Sequence, residues 1–171
     1  MKIPLRPSRL TVRQKRPKWV IIHHTSELYD NPASRIDNPK YQMPGLYSGV
    51  LEKKHADINY HYVIDQIKED FEVINCRPFV YMCDWDDISA DINKRAIHVA
   101  LMGNYDFKLP VKRCYEILAY RLLNPMMKMY GMSPNKIKMH RDVSDDKEIT
   151  CPGEFVDPTI IDAMVRKFVI K

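Results

Sequence analysis

"KWVIIHHTSE", residues 18–27, sets two adjacent histidines at the end of a Trp-Val-Ile-Ile run. The run is apolar and β-branched, which predicts a buried strand over residues 19–25. Neighbouring strand residues point to opposite faces. One of His23 and His24 can therefore look into a cleft while the other looks into the core. Which imidazole does which depends on what else in the chain can meet it.

Downstream, "SELYDNPASRIDNPKYQMPG" carries Pro32, Pro39, Pro44 and Gly45 and reads as a long surface loop, a length often given to function. "LYSGVLEKKHA" can hold a short helix. "INYHYVID" alternates, which predicts a strand with Tyr60, Tyr62 and Ile64 on one face and His61 and Val63 on the other; "FEVINCRPF" is its hairpin partner. "MCDWDDISADINKR" is acidic and polar, hence loop, and "AIHVALMGNYD" is a central strand ending at Gly103. A helix follows in "PVKRCYEILAYRLLNPMMKMYG", with Cys114, Ile117, Leu118 and Leu122 at helical spacing, a stop at Gly131, and a kink or break expected at Pro125. Its methionines Met126, Met127 and Met129 read as core filler. "KIKMHRDV" is a short strand ending in His140, and "DPTIIDAMVRKFVI" a closing amphipathic helix. Strands alternate with helices, but the hairpin makes the sheet mixed. The expected fold is a single α/β domain, a mixed central sheet flanked by helices, with functional residues at strand ends.

The bulk numbers fit. A chain of 171 residues, 45% hydrophobic and 29% charged, can bury one real core. No apolar stretch is long enough to span a bilayer, and the N-terminus lacks the apolar core of a secretory signal. The net charge of +5 is uneven: residues 1–18 hold seven cations and no acid, leaving the remainder at about −2. This basic arm (residues 1–18, ahead of a domain at 19–171) could hold an anionic polymer or a partner protein, or simply pack along the domain. No aromatic residues interleave with its cations, which argues against nucleic acid. Cys76, Cys83, Cys114 and Cys151 form no CxxC pair, so a disulfide framework is not expected.

Three potential metal ligands lie at the ends of apolar segments: His23 or His24, then His140, then Cys151 in "HRDVSDDKEITCPGEF". Zinc takes nitrogen and sulfur donors tetrahedrally, and a site with three protein ligands keeps its fourth position for water. One ligand far upstream of the other two fits no zinc-finger spacing. Cys151-Pro152-Gly153 suits a tight turn that aims the thiol inward. His55, His61 and His98 read instead as ordinary, hydrogen-bonded histidines.

Taken in order, "WVIIHHTS", "INYHYVID", "AIHVALMGNYD" and "HRDVSDDKEITCPGEF" resemble the blocks of the zinc-dependent N-acetylmuramoyl-L-alanine amidases of type 2, the family of phage lysozyme-type amidases and peptidoglycan recognition proteins. The match runs from about Trp19 to the C-terminus. The resemblance implies zinc held by His23, His140 and Cys151, with His24 structural and Tyr60 assisting catalysis. It implies hydrolysis of the amide between N-acetylmuramic acid and L-alanine, with peptidoglycan or a muropeptide as substrate. The alternative is a non-catalytic module that binds peptidoglycan. Two positions depart from the family pattern. Ile149 stands two residues before the last ligand, where lysine or threonine is usual, with Lys147 and Thr150 close by. Ala100 stands where the cytosolic recycling branch carries a glutamate. Asp142 and Glu148 read as solvated or supporting acids rather than as a general base. With a cysteine as third ligand, these features place the chain nearer the lytic phage-type and recognition branches. The expected location is the cytoplasm until release to the cell wall.

Overall fold

Trp19–His24 forms strand β1, flanked on both sides in the five-stranded sheet of the computed structural model, which describes residues 10–25, 58–67, 69–83 and 85–169. The other strands are β2 (Tyr62–Ile67), β3 (Asp70–Asn75), β4 (Ala96–Leu101) and β5 (Ile137–Met139). Their order is β3-β2-β4-β1-β5. The β2–β3 hairpin is antiparallel and every other pairing is parallel, so the sheet is mixed, as expected. All six residues of β4 are buried, as a central parallel strand with both faces covered requires. The proline-rich loop after β1, the short helix expected near residue 50 and His55 lie outside the described residues.

The helices are α1 (Ala90–Asn93), a single turn, α2 (Lys112–Ile117), α3 (Asn124–Tyr130), α4 (His140–Val143) and α5 (Pro158–Val169). Pro125 does not break the long helix. A π-helical segment, Leu118–Leu123, joins α2 to α3 and places the proline at the first positions of α3. The wider turn takes the backbone out of the i→i−4 register that a proline ring would obstruct. Gly131 ends the helix with φ +64°, a left-handed cap.

The two faces of the sheet differ. Val20 and Ile22 of β1 join Ile97, Val99 and Leu101 of β4 in the main core, packed against Leu118, Leu122, Leu123, Met126 and Met127. The opposite face carries Ile21 and Ala96 in one small cluster and Val63, Ala100 and Met102 in another, with Tyr60 against the second. Tyr60 thus sides with Val63, not with Tyr62. The chain bends at Asn59 and His61 and β2 begins only at Tyr62, so the alternation expected from "INYHYVID" holds from Tyr62 onward.

The described part of the basic arm lies along the domain. Val12 bridges to Tyr81, and Arg13 donates to the carbonyls of Phe79, Lys94 and Ala96 at 2.8–3.0 Å.

Candidate metal centre

Strand β1 ends with His23 on the face that carries Ile21 and His24 on the face of the main core. His23 is fully buried. His24 Nδ1 accepts the Tyr105 N–H at 3.2 Å, and its Nε2 lies 3.8 Å from Asp106, so it ties β1 to the segment after β4. His140 follows β5, the neighbour of β1, and opens α4 rather than ending the strand. The ring centroids of His23 and His140 are 4.4 Å apart.

Cys151 comes from the loop beyond α4, and Arg141 shapes that loop. Its guanidinium donates to the carbonyls of Thr150 (3.1 Å), Gly153 (2.7 Å) and Val156 (3.1 Å), while its backbone N–H donates to Cys151 O at 2.8 Å. Gly153 has φ +107°, and a Cβ there would come within 2.5 Å of the Tyr105 carbonyl carbon. Only glycine combines that conformation with that close approach. Asp142 accepts the Met139 N–H at 3.1 Å and caps α4. Within "HRDV", then, the histidine faces the site while the next two residues hold the backbone.

The structure brings His23, His140 and Cys151 together, with one donor atom from each lying within 4.8 Å of the others and no fourth such donor joining them among the described residues. His23 Nδ1 to Cys151 Sγ is 3.8 Å. Tetrahedral bonds of about 2.1 Å to nitrogen and 2.3 Å to sulfur would set that separation at ~3.6 Å. One donor is also unspent. His140 Nε2 lies 2.8 Å from Asp87 Oδ2, while the other buried ring nitrogen, Nδ1, lacks a hydrogen-bond partner. An orphaned buried nitrogen is costly unless something occupies its lone pair. The His24 backbone N–H points at Cys151 Sγ from 3.5 Å, a contact suited to a thiolate. The donor set therefore fits zinc.

Without a cation the electrostatics favour neutral groups. Burial, then the neighbouring imidazoles, hold His23 well below the usual histidine range. Burial also lowers His140 against the opposing pull of Asp87, and pushes the Cys151 thiol up to about 12. Three neutral donors can accept a divalent ion with release of the thiol proton.

Tyr60, half-buried beside this cluster, has its ring centroid 5.5 Å from that of His23 and its hydroxyl 3.4 Å from His24 O. Lys147 donates to Ser144 O at 3.1 Å, Ile149 and Thr150 are half-buried, and Glu148 is exposed.

Several participants were not legible in the sequence as such. Trp85, in the acidic loop, stacks on His23 with centroids 4.4 Å apart and planes 19° apart, and sets its edge against His140. Asp87 meets His140 and accepts the Ser144 hydroxyl at 2.7 Å. His98 was read as an ordinary core histidine, yet its Nδ1 is 2.9 Å from His23 Nε2, and its Nε2 is 3.0 Å from Asn93 Oδ1. The available signal was two-residue spacing: Ala96, His98 and Ala100 must share the face of β4 that meets His23. His61 does serve as a structural hydrogen-bonding group, since Nδ1 accepts the His98 N–H at 2.9 Å and Nε2 lies 3.0 Å from Tyr81 O.

Residues 13–154 match the N-acetylmuramoyl-L-alanine amidase family, Amidase_2. The chain belongs to this family of amidases. No curated protein matches it in sequence. Among solved structures it resembles a selenomethionine derivative of AmpD (TM-score 0.70, 20% identity, 95% of this chain and 92% of that one). It also resembles the N-acetylmuramoyl-L-alanine amidase LysC from Clostridium intestinale URNW (0.65, 20%, 91% and 93%). A third likeness is to the Drosophila peptidoglycan recognition protein SD (0.65, 23%, 88% and 83%). At these identities the likenesses speak for the fold. No helix among the described residues is long and apolar enough to cross a membrane.

Proposed function

We propose that the chain is a zinc-dependent hydrolase cleaving the amide between N-acetylmuramic acid and L-alanine in peptidoglycan. His23, His140 and Cys151 are the metal ligands in this reading, and Tyr60 is the catalytic side chain. The convergence of two imidazoles and a thiol, with the buried Nδ1 of His140 left unpartnered, is the observation that carries it.

Bound there, zinc would acidify its water towards a pKa of ~7 and polarise the scissile carbonyl. The chain's own groups supply the remainder. Tyr60 can donate its hydroxyl proton in a hydrogen bond to the oxyanion as it develops; one such donor is typically worth ~10²–10³ in rate. The Trp85 indole N–H donates to Asn59 O at 3.2 Å, so the ring covering His23 also holds the residue next to Tyr60. Asp142 is spent on its helix cap and Ala100 has no acid to offer, so no general base is assigned to either.

The physiological role proposed is lysis of the cell wall, in keeping with a thiolate third ligand and with Ala100 in place of a glutamate. The basic arm is proposed to favour an anionic envelope polymer or a partner protein. One feature favours a second reading, a peptidoglycan-binding module without turnover: Ile149, apolar where the family usually carries lysine or threonine. The deciding experiment is mass spectrometry of products from purified peptidoglycan, with and without a chelator. Chelator-sensitive release of free stem peptide supports hydrolysis. Binding to sacculi without release supports the module.

A further inference from the structure

We infer that Asn93 and His98 are positioning residues that lock His23 into a single tautomer, with the proton on Nε2 and the Nδ1 lone pair turned toward His140 and Cys151. The inference rests on the reading of His23 as a zinc ligand. The Trp85 carbonyl can only accept, so the Asn93 group 3.1 Å away must be the amide NH₂. That leaves Asn93 Oδ1 facing His98 Nε2 at 3.0 Å. Oδ1 can only accept, so His98 carries its proton on Nε2. A neutral imidazole has one N–H and one lone pair, so His98 Nδ1 is an acceptor. His23 Nε2, 2.9 Å from it, must then donate. The one remaining lone pair of His23 is on Nδ1, the atom 3.8 Å from Cys151 Sγ.

Each link in this chain is buried: His23 and His98 are fully enclosed and Asn93 nearly so. Water therefore cannot readily substitute for a lost partner. The fold supplies the chain through one short segment. Asn93 ends α1, and His98 lies five residues on in β4, beside β1. Outer partners of this kind set the tautomer and ring orientation of a metal-binding histidine and are worth ~10–100-fold in metal affinity.

The test uses the whole chain. Ring ¹⁵N NMR of the zinc-free protein should show His23 wholly in the Nε2–H form, and Asn93→Ala should give a mixture of both forms. Chelator competition should show zinc binding weakened ~10–100-fold in Asn93→Ala and in His98→Phe. His98→Gln, whose amide oxygen can accept from His23, should regain most of the loss. A structural role alone would lower thermal stability in all three variants and leave zinc affinity and the tautomer unchanged. Should His98→Phe fail to fold, Asn93→Ala still decides, because it leaves both rings in place. An Nδ1–H form of His23 in the wild type would overturn the inference, as would unaltered zinc affinity in a folded Asn93→Ala protein. A wild type that takes up no zinc but shows the Nε2–H form would instead overturn the proposed function, leaving the hydrogen-bond assignment standing.

Discussion

Cys114 and Cys151 are both buried free thiols that burial pushes up to about 12, and they sit against opposite faces of one sheet. Cys114 packs among Ile97, Leu118 and Leu123 on the helix-covered face. Cys151 meets two imidazoles and a backbone N–H on the other. The residue and its burial are the same, yet only one thiol faces partners that could share a cation. The contrast extends across the sheet. On the helix-covered face many apolar groups share the burial, so what matters is volume. On the other face the buried polar groups meet a few specific partners, so what matters is identity.

This contrast can be broken most severely at the proposed ligands. His140→Ala or Cys151→Ala should abolish zinc uptake and lower muropeptide cleavage by more than ~10³-fold, while Cys114→Ala leaves both in place; metal analysis and product release on the same samples check this. Tyr60→Phe should retain zinc and lose ~10²–10³ in turnover, a dissociation the ligand variants cannot show. On the opposite face, Leu118→Ala should cost about 3 kcal/mol in urea unfolding through a cavity, with zinc stoichiometry unchanged. Loss of metal there would mean the two faces are not separable.

The smallest expected effect is a pH slope. Burial, then the charge of Arg13, lowers His61 to about 3 from an ordinary 6.5. The folded state keeps this ring neutral, while the unfolded chain protonates it below 6.5. Its contribution to stability is therefore complete above pH 6.5 and is lost progressively as pH falls toward 3. The slope is one proton, about 1.4 kcal/mol per pH unit. Zinc-free His61→Gln should show that much less dependence between pH 6 and 4. An unchanged slope would place the acid sensitivity elsewhere.

Much of this arrangement was legible beforehand. The run Trp19–Ile22 marks an inner strand, "FEVIN" the hairpin partner of the strand in "INYHYVID", and Gly131 the end of a helix, because each signal is local: β-branching, alternation, the left-handed cap. Pro125 misled, because a π-helical turn that absorbs a proline leaves no mark in propensity. Tyr60 was placed on the wrong side, because a bend at Asn59 and His61 resets the alternation. The acidic stretch 82–95 read as loop, and nothing local distinguishes a Trp85 that covers histidines from one that packs a core.

The sequence by itself determined the strand and helix periods, the mixed α/β class and the residue types able to hold a divalent ion, since these follow from backbone geometry and side-chain chemistry over a few residues. Tertiary structure alone decided that Asp87 and His98 contact His140 and His23, that Asn93 stands behind His98, and that Arg141 ties down the cysteine loop. Those contacts join residues far apart in the chain or on different elements. A hydrogen bond requires its partners within about 3 Å at a suitable angle, and sheet pairing sets that distance where sequence spacing does not.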